Sequence, residues 1–317
     1  MSKTGAPNLW NYLGRFAIVF VLSYAVVAVL FLGVQNQLSE DYRIALELYE
    51  PFRPAALSTL IPLVVRALIL ALILYPFYGV IMQNRFGGLI LFGALWGAAL
   101  FGSVEPMPGS LEGMIYTSIS FTEHALVLVA IALQMLLFVW LFLKWEVGTT
   151  HSSTLENHTP GTIPGPGTRL FKGYMARFTV VHVVTYWVVG SVFYQIADYE
   201  EALAAMEIFE LWRPLESLTM VLVVFLGQVV RGPVLAVLLL PFLNIYISQR
   251  YGWLYLFMLM FGLTALGSPV FLHELLVIET TLSDYLQDLW IGIPEIFTQM
   301  LLFSVLFFYW QKRNTPT

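Results

Sequence analysis

The chain has 317 residues, of which 59% are hydrophobic and 11% are charged. Soluble domains carry about 25% charged residues, so this composition excludes an ordinary soluble protein and indicates an all-α integral membrane protein embedded in a lipid bilayer. The net charge of −5 argues against nucleic acid as a partner. Cysteine is absent, which excludes disulfides, thiol catalysis and thiolate metal sites.

Eight apolar runs have about the 20 residues that a helix needs to cross a bilayer. The first run follows Lys3 and Arg15, as in a signal peptide, but it ends without a cleavage pattern and predicts a retained span. The second and sixth runs are longer than needed and contain prolines or glycines that permit a bend. The predicted spans are Phe16–Val34, Ala55–Met82, Phe86–Val104, Ala125–Trp145, Phe178–Ala197, Leu218–Ile247, Tyr251–Leu272 and Ile291–Tyr309.

The positions of lysine and arginine predict the orientation of these spans. With the N-terminus inside, the cytoplasmic segments hold ten of the 15 basic residues and the outer segments hold three. Positive residues are retained on the cytoplasmic side of a membrane. We therefore expect both termini in the cytoplasm, and a plasma (inner) membrane as the location.

Three connecting segments have distinct compositions. Glu40–Arg53 and Asp198–Arg213 carry apolar residues at helical spacing with acids between them, which predicts helices lying on the outer membrane surface. Each ends at a proline, Pro54 or Pro214, which blocks helix continuation. Residues 149–168 are rich in Pro, Gly, Thr and Ser and predict a flexible cytoplasmic linker.

That linker separates two similar halves, residues 1–148 and 169–317. At an offset of 165 residues, 16 of the 40 residues between Val64 and Ser103 are identical without a gap. The matches include arginine, proline and glycine, which apolar composition alone does not produce. Each half contributes four spans, an even number, so both halves enter the membrane from the same side. The sequence therefore predicts two parallel four-helix repeats related by a pseudo-twofold axis along the membrane normal.

Two arginines lie inside predicted spans, at equivalent positions of the repeat. Arg66 and Arg231 each follow two valines, and an arginine within a span usually faces a bundle interior or a water-filled path. One interpretation is a pair of cations beside the axis that binds an anion, a carboxylate or a lipid phosphate. A second is an ion pair with an acid of the same half, Glu105 or Glu274. A third is that Arg66 extends to the membrane surface.

Acids and histidines gather in the predicted outer loops. They include Glu105, Glu112, Glu123 and His124 in the first half, and His273, Glu274, Glu279, Asp284 and Asp288 in the second. Such a set suggests a divalent metal site as one interpretation. However, the histidines have no counterparts in the other half, and His273-Glu274 lacks the second histidine of a zinc motif. Solvated acidic loops are the interpretation that we favour, and no cofactor or metal is predicted.

The stretch Glu105–Thr117 has no counterpart in the second half. Its two prolines and two glycines predict an irregular backbone near the membrane surface, where such backbone must line a cavity or pack within protein. It predicts either a re-entrant loop over a site on the axis or a plain connection.

Three functions remain open from the sequence. One is a transporter or channel for an anionic or amphipathic solute, with Arg66, Arg231, Glu105, Glu112, His273 and Glu274 as candidate substrate-binding residues. Another is a membrane-embedded enzyme that acts on a lipid or lipid-linked substrate at the outer leaflet, through Glu105, Glu112, His124, His273 and Glu274. The third is a structural subunit with membrane-protein partners.

Overall fold

A computed structural model describes residues 7–35, 37, 57–150, 168–196, 213, 217–267 and 282–315. Helix makes up 88% of the structure, and no strand occurs in these ranges. The α-helices are α1 (Leu9–Gln35), α2 (Leu57–Leu74), α3 (Tyr78–Gln83), α4 (Gly87–Phe92), α5 (Leu111–Tyr116), α6 (Phe121–Thr150), α7 (Thr168–Ile196), α8 (Leu218–Leu239), α9 (Leu243–Ser248), α10 (Gly252–Phe261) and α11 (Leu282–Arg313). Two π-helices, π1 (Gly93–Phe101) and π2 (Gly262–Leu266), extend α4 and α10.

Among the described residues, six helical segments are long and apolar enough to cross a membrane. They are Leu9–Phe31, Leu60–Gln83, Phe121–Gly148, Phe171–Ile196, Leu218–Ser248 and Gly292–Arg313. The fold is therefore that of a helical, multi-pass membrane protein, as the composition predicts.

The third and seventh predicted spans are shorter in the structure than in the sequence prediction. They form the apolar helices Gly87–Phe101 and Gly252–Leu266. The first of these ends because the backbone turns at Gly102 and Pro106 and Pro108 follow. Val104, the last residue of the predicted span, is apolar but lies beyond the end of the helix.

The connecting segments fall mostly outside the described residues. This applies to the surface helix expected at Glu40–Arg53 and to the one at Asp198–Arg213, except for its last residue. The predicted linker 149–168 contributes only its ends, since α6 reaches Thr150 and α7 begins at Thr168.

Proline breaks the segments Leu60–Gln83 and Leu218–Ser248 at positions 165 residues apart. Pro76 lies in a 3₁₀ turn, Tyr75–Phe77, between α2 and α3. Pro241 lies in the turn Leu240–Phe242, between α8 and α9. Proline has no N–H to donate and its ring crowds the preceding turn, which favours a break in a helix, although α2 and α8 continue through Pro62 and Pro233. The bends allowed by the sequence are therefore located at these prolines.

Aromatic side chains form the core within each half of the chain. In the first half, Phe16 of α1 packs against Phe138 of α6, with ring centroids 4.7 Å apart. In the second half, Phe178 of α7 packs against Phe303 of α11 at the same separation. All four rings are buried. Such pairs contribute about 0.5–1.5 kcal/mol beyond the area that they bury.

Close packing joins the two halves. Phe77 and Phe242, which are 165 positions apart, contact each other with ring centroids 4.9 Å apart. On π1, a Cβ atom at Gly97 would lie 2.9 Å from Leu238 Cδ1. On π2, a Cβ atom at Gly262 would lie 2.8 Å from Ile73 Cγ1. Only glycine allows the π-helices to approach the opposite half this closely.

A polar contact ties the first helix of each half to the last. Arg15 Nε donates to Glu146 Oε1 at 2.5 Å, between α1 and α6. Arg177 Nε donates to Gln311 Oε1 at 2.8 Å, between α7 and α11. The geometry is alike, but an acid is present in one half and a neutral amide in the other.

The turn before α10 generates a prediction. A Cβ atom at Gly252 would lie 2.6 Å from the carbonyl carbon of Tyr246 and 2.7 Å from Phe308 Cε2. We expect Gly252→Ala to lower the free energy of unfolding by about 1–3 kcal/mol, as overpacking does, measured by thermal unfolding of the purified protein in detergent. The control is Gly14→Ala on α1, where nothing lies within 4 Å. Equal stability of the two variants would contradict the prediction.

Candidate functional site

Two arginines are buried in the apolar helices α2 and α8. Arg66 of α2 is 6% exposed and Arg231 of α8 is 1% exposed. Arg231 is 13 residues from the start of α8 at Leu218, about 20 Å along the helix at 1.5 Å per residue. Neither guanidinium reaches solvent, so the surface-exposed interpretation of Arg66 does not describe the structure.

Each arginine donates a hydrogen bond to the end of a π-helix from the other half. Arg66 Nε donates to the carbonyl oxygen of Gly267 at 2.8 Å. Arg231 Nη2 donates to the carbonyl oxygen of Gly102 at 2.8 Å. Both the arginines and the glycines are 165 positions apart. Carbonyls at a helix C-terminus lack intrahelical partners and carry partial negative charge, which a guanidinium stabilises.

Arg231 also forms a buried ion pair with Glu112 of α5. Nη1 lies 2.5 Å from Glu112 Oε1, and Glu112 is 3% exposed. Gln228 Nε2 donates to the same carboxylate oxygen at 3.0 Å. The amide oxygen of Gln228 is 3.1 Å from His182 Nε2 of α7. Four polar side chains from three helices thus form one connected network.

The surroundings of Arg66 differ from those of Arg231. The guanidinium of Arg66 lies over the ring of Phe20, 5.6 Å from the ring centroid. Glu105 and Tyr24 are its electrostatic neighbours. The Nη2 atom is buried and makes no hydrogen bond within the part of the chain that the structure describes. Arg66 therefore holds a donor that the described structure does not use.

The segment that carries Glu112 is held in a fixed shape by its own hydrogen bonds. Ser110 Oγ caps α5 by accepting from Gly113 N at 2.8 Å. Gly109 has a φ of 88°, a left-handed conformation that favours glycine. Its N–H donates to His124 Nδ1 at 2.9 Å. These contacts orient α5, and they give His124 a structural role.

Helix α5 packs along the N-terminal part of α8. Ile115 fits against Gly227 and is buried with Met220 and Val224. At the far end of α5, the carbonyl oxygen of Tyr116 accepts from Arg213 N at 2.7 Å. Glu112 thus lies toward the middle of α8, and Tyr116 lies toward its N-terminal end. The segment is packed against protein, and both interpretations of Glu105–Thr117, a re-entrant loop and a plain connection, stay predictions.

The structure brings together some of the predicted site residues. Glu112 and Arg231 form an ion pair, and Glu105 lies near Arg66 electrostatically. The acid paired with Arg231 comes from the other half of the chain, whereas the sequence suggested one from the same half. His273 and Glu274 lie outside the described residues. Within the described ranges, no group of three His, Asp or Glu side chains is placed to hold a metal ion.

Several polar residues around Arg231 were not predicted from the sequence. Gln228 received no role, although an amide inside an apolar run is a signal for a buried hydrogen bond. Tyr116 and Tyr186, whose hydroxyls are hydrogen-bonded to each other, were also missed. The glycine carbonyls that accept from the arginines leave no side-chain signal at all.

No protein-family model, curated protein or solved structure matches this chain. The geometry of the two arginines and their neighbours is therefore the basis for a proposed function.

A double-mutant cycle tests the buried ion pair. Removing one partner leaves an uncompensated buried charge, so Arg231→Gln and Glu112→Gln should each lower the free energy of unfolding by about 3–5 kcal/mol. The double variant should lose less than the sum of the two. The measurement is thermal unfolding in detergent, with Arg250→Gln, at an exposed arginine stacked on Tyr251, as the matched control. Additive losses would show that the pair is not coupled.

Proposed function

We propose that the protein is a transporter for an anionic or amphipathic solute, with two parallel four-helix repeats around a site beside the pseudo-twofold axis. The observation that carries this proposal is the pair of buried arginines, each bonded to the opposite half. An ionisable residue inside a membrane-spanning segment is, by default, a candidate for a substrate or ion path.

The order of the elements supports the duplication. Helix α2, its 3₁₀ turn, α3, α4 and π1 follow one another as do α8, its turn, α9, α10 and π2. Contacts between the halves repeat as well: Gly97 meets Leu238 where Gly262 meets Ile73, again 165 positions apart. Equivalent residues of two repeats touch each other only near a twofold axis, so the contact between Phe77 and Phe242 supports an axis at this point.

The chemistry of Arg66 supports an anionic solute. A guanidinium presents planar, fork-like donors that match carboxylate and phosphate oxygens. Arg66 uses Nε for Gly267 and keeps Nη2 without a hydrogen bond in the described structure. An anion that binds there would contact the cation within the protein interior, where electrostatic attraction is stronger than in water.

The alternative of an outer-leaflet enzyme receives less support. It requires its acids and histidines to converge, but Glu112 bonds to Arg231 and Gln228 while His124 accepts from Gly109. His124 therefore serves the loop, and Glu112 is directed toward the interior of the helical bundle.

Flux through proteoliposomes tests the transport proposal. We expect Arg66→Gln to lower uptake of the transported anion at least tenfold, because the cation that contacts it is lost. Acetate, octanoate and inorganic phosphate form the panel. Arg85→Gln, at an exposed arginine stacked on Phe86, is the control and should keep wild-type flux. The proposal fails if wild type carries none of these anions, or if folded Arg66→Gln carries them all normally.

The proposed orientation places both termini and the linker in the cytoplasm of a plasma (inner) membrane. The chain contains no cysteine, so one introduced cysteine is its only thiol. In intact cells, a membrane-impermeant maleimide should label Ser39→Cys, before the first outer segment. It should label Ser153→Cys, in the linker, only after lysis. The reverse pattern would mean that the orientation is inverted.

A further inference from the structure

The two halves treat their equivalent arginines differently. Arg231 has a carboxylate, Glu112, 2.5 Å from Nη1, supplied by a segment without a counterpart in the second half. Both arginines donate to a glycine carbonyl, but Arg66 has the ring of Phe20 beside it and Glu105 as an electrostatic neighbour. Glu112 therefore occupies the place on Arg231 that an external anion would take.

The ion pair leaves polar atoms of both partners unused. Glu112 Oε2 and Arg231 Nε are buried and make no hydrogen bond within the described ranges. A guanidinium and a carboxylate commonly pair through two parallel bonds. Here the pairing is through one carboxylate oxygen, which Arg231 shares with Gln228. The two side chains are therefore close together, but each keeps one buried polar atom without a hydrogen bond in the described structure.

Charge balance determines what can replace Glu112. Arg231 and ionised Glu112 together have zero net charge. If a second carboxylate approached Arg231, two anions would share one cation, and like charges at a buried site favour protonation of one of them. With one proton on Glu112 and one carboxylate from the solute, the site returns to zero net charge.

Titratable groups surround Glu112 on each packed element. Helix α8 contributes Arg231 with the amide of Gln228, and α7 contributes His182 and Tyr186. The remaining groups are Tyr116 of α5, Arg213 bonded to the end of α5, and Glu295 of α11 as an electrostatic neighbour of Tyr116. The hydroxyls of Tyr116 and Tyr186 are hydrogen-bonded to each other.

We propose that the solute is a monocarboxylate that enters together with one proton. The proton binds to Glu112, and the solute carboxylate replaces Glu112 on Arg231. The step breaks one ion pair and forms another, with no net change in buried charge. This inference rests on the proposed transport function, adds Arg231 to Arg66 as a second anion-binding position of the path, and names the substrate class and the coupling ion.

Calorimetric binding of octanoate to the full-length protein in detergent tests the inference. Titrations in buffers of different ionisation enthalpy count the protons taken up. We expect uptake of about one proton for each octanoate bound. As the pH rises through the titration of Glu112, the affinity should fall, with a limiting slope of about tenfold per pH unit. The affinity falls at higher pH because binding requires protonated Glu112, and a higher pH removes that proton.

The decisive variant is Glu112→Gln, which resembles the protonated acid. It should bind octanoate without proton uptake and with no change of affinity between pH 6 and pH 8. Glu123→Gln is the control and should keep the uptake, because Glu123 caps the start of α6 through Ser120 N and does not contact Arg231. If Glu112→Gln fails to fold, the proton count of the wild type decides alone.

The outcomes separate the two proposals. Octanoate binding without proton uptake in the wild type, or uptake that persists in Glu112→Gln, would overturn the proton exchange and leave anion transport standing. Absence of octanoate binding at every pH would overturn the monocarboxylate assignment. Phosphate flux in proteoliposomes would then decide the transport proposal by itself.

Discussion

The fold depends on how two positive charges are accommodated in an apolar interior. A guanidinium removed from water is tolerated only if its donors meet acceptors nearby. Here the acceptors are the Gly267 and Gly102 carbonyls, where π-helices end and leave oxygens without helical partners. Each half thus supplies the charge that the other half's broken helix needs, and neither arrangement is complete without the opposite half.

Other features follow from this exchange. The arginines reach the glycine carbonyls only because the halves approach closely, which glycine at 97 and 262 permits. The π-helices end at these carbonyls, and the two apolar helices that they complete are shorter than the six segments long enough to cross a membrane. The first π-helix is then followed by a segment that turns back into the protein, and this segment brings Glu112 to Arg231. Helix length, glycine placement and ion pairing are therefore parts of one arrangement.

The sequence predicted some of this and could not predict the rest. Apolar runs gave the membrane class, and the matched arginines gave the candidate site, because periodicity and charge are local signals. The partner of Arg231 was not predictable, since Glu112 lies 119 positions away in a segment that has no counterpart for comparison. The short helices were missed because hydropathy measures transfer from water and not backbone hydrogen bonding. His273 and Glu274 lie outside the described ranges, and their role stays a prediction.

The contact between Arg177 and Gln311 has a consequence for how the chain inserts into a membrane. In the first half, the charge of Arg15 is balanced by Glu146. In the second half, an amide accepts the same hydrogen bond and leaves the charge of Arg177 in place. Uncompensated positive charge beside a span is the signal that retains that end in the cytoplasm. Arg177, in the first part of α7, therefore keeps a positive charge of the kind that influences helix orientation during insertion, whereas Glu146 balances the charge of Arg15.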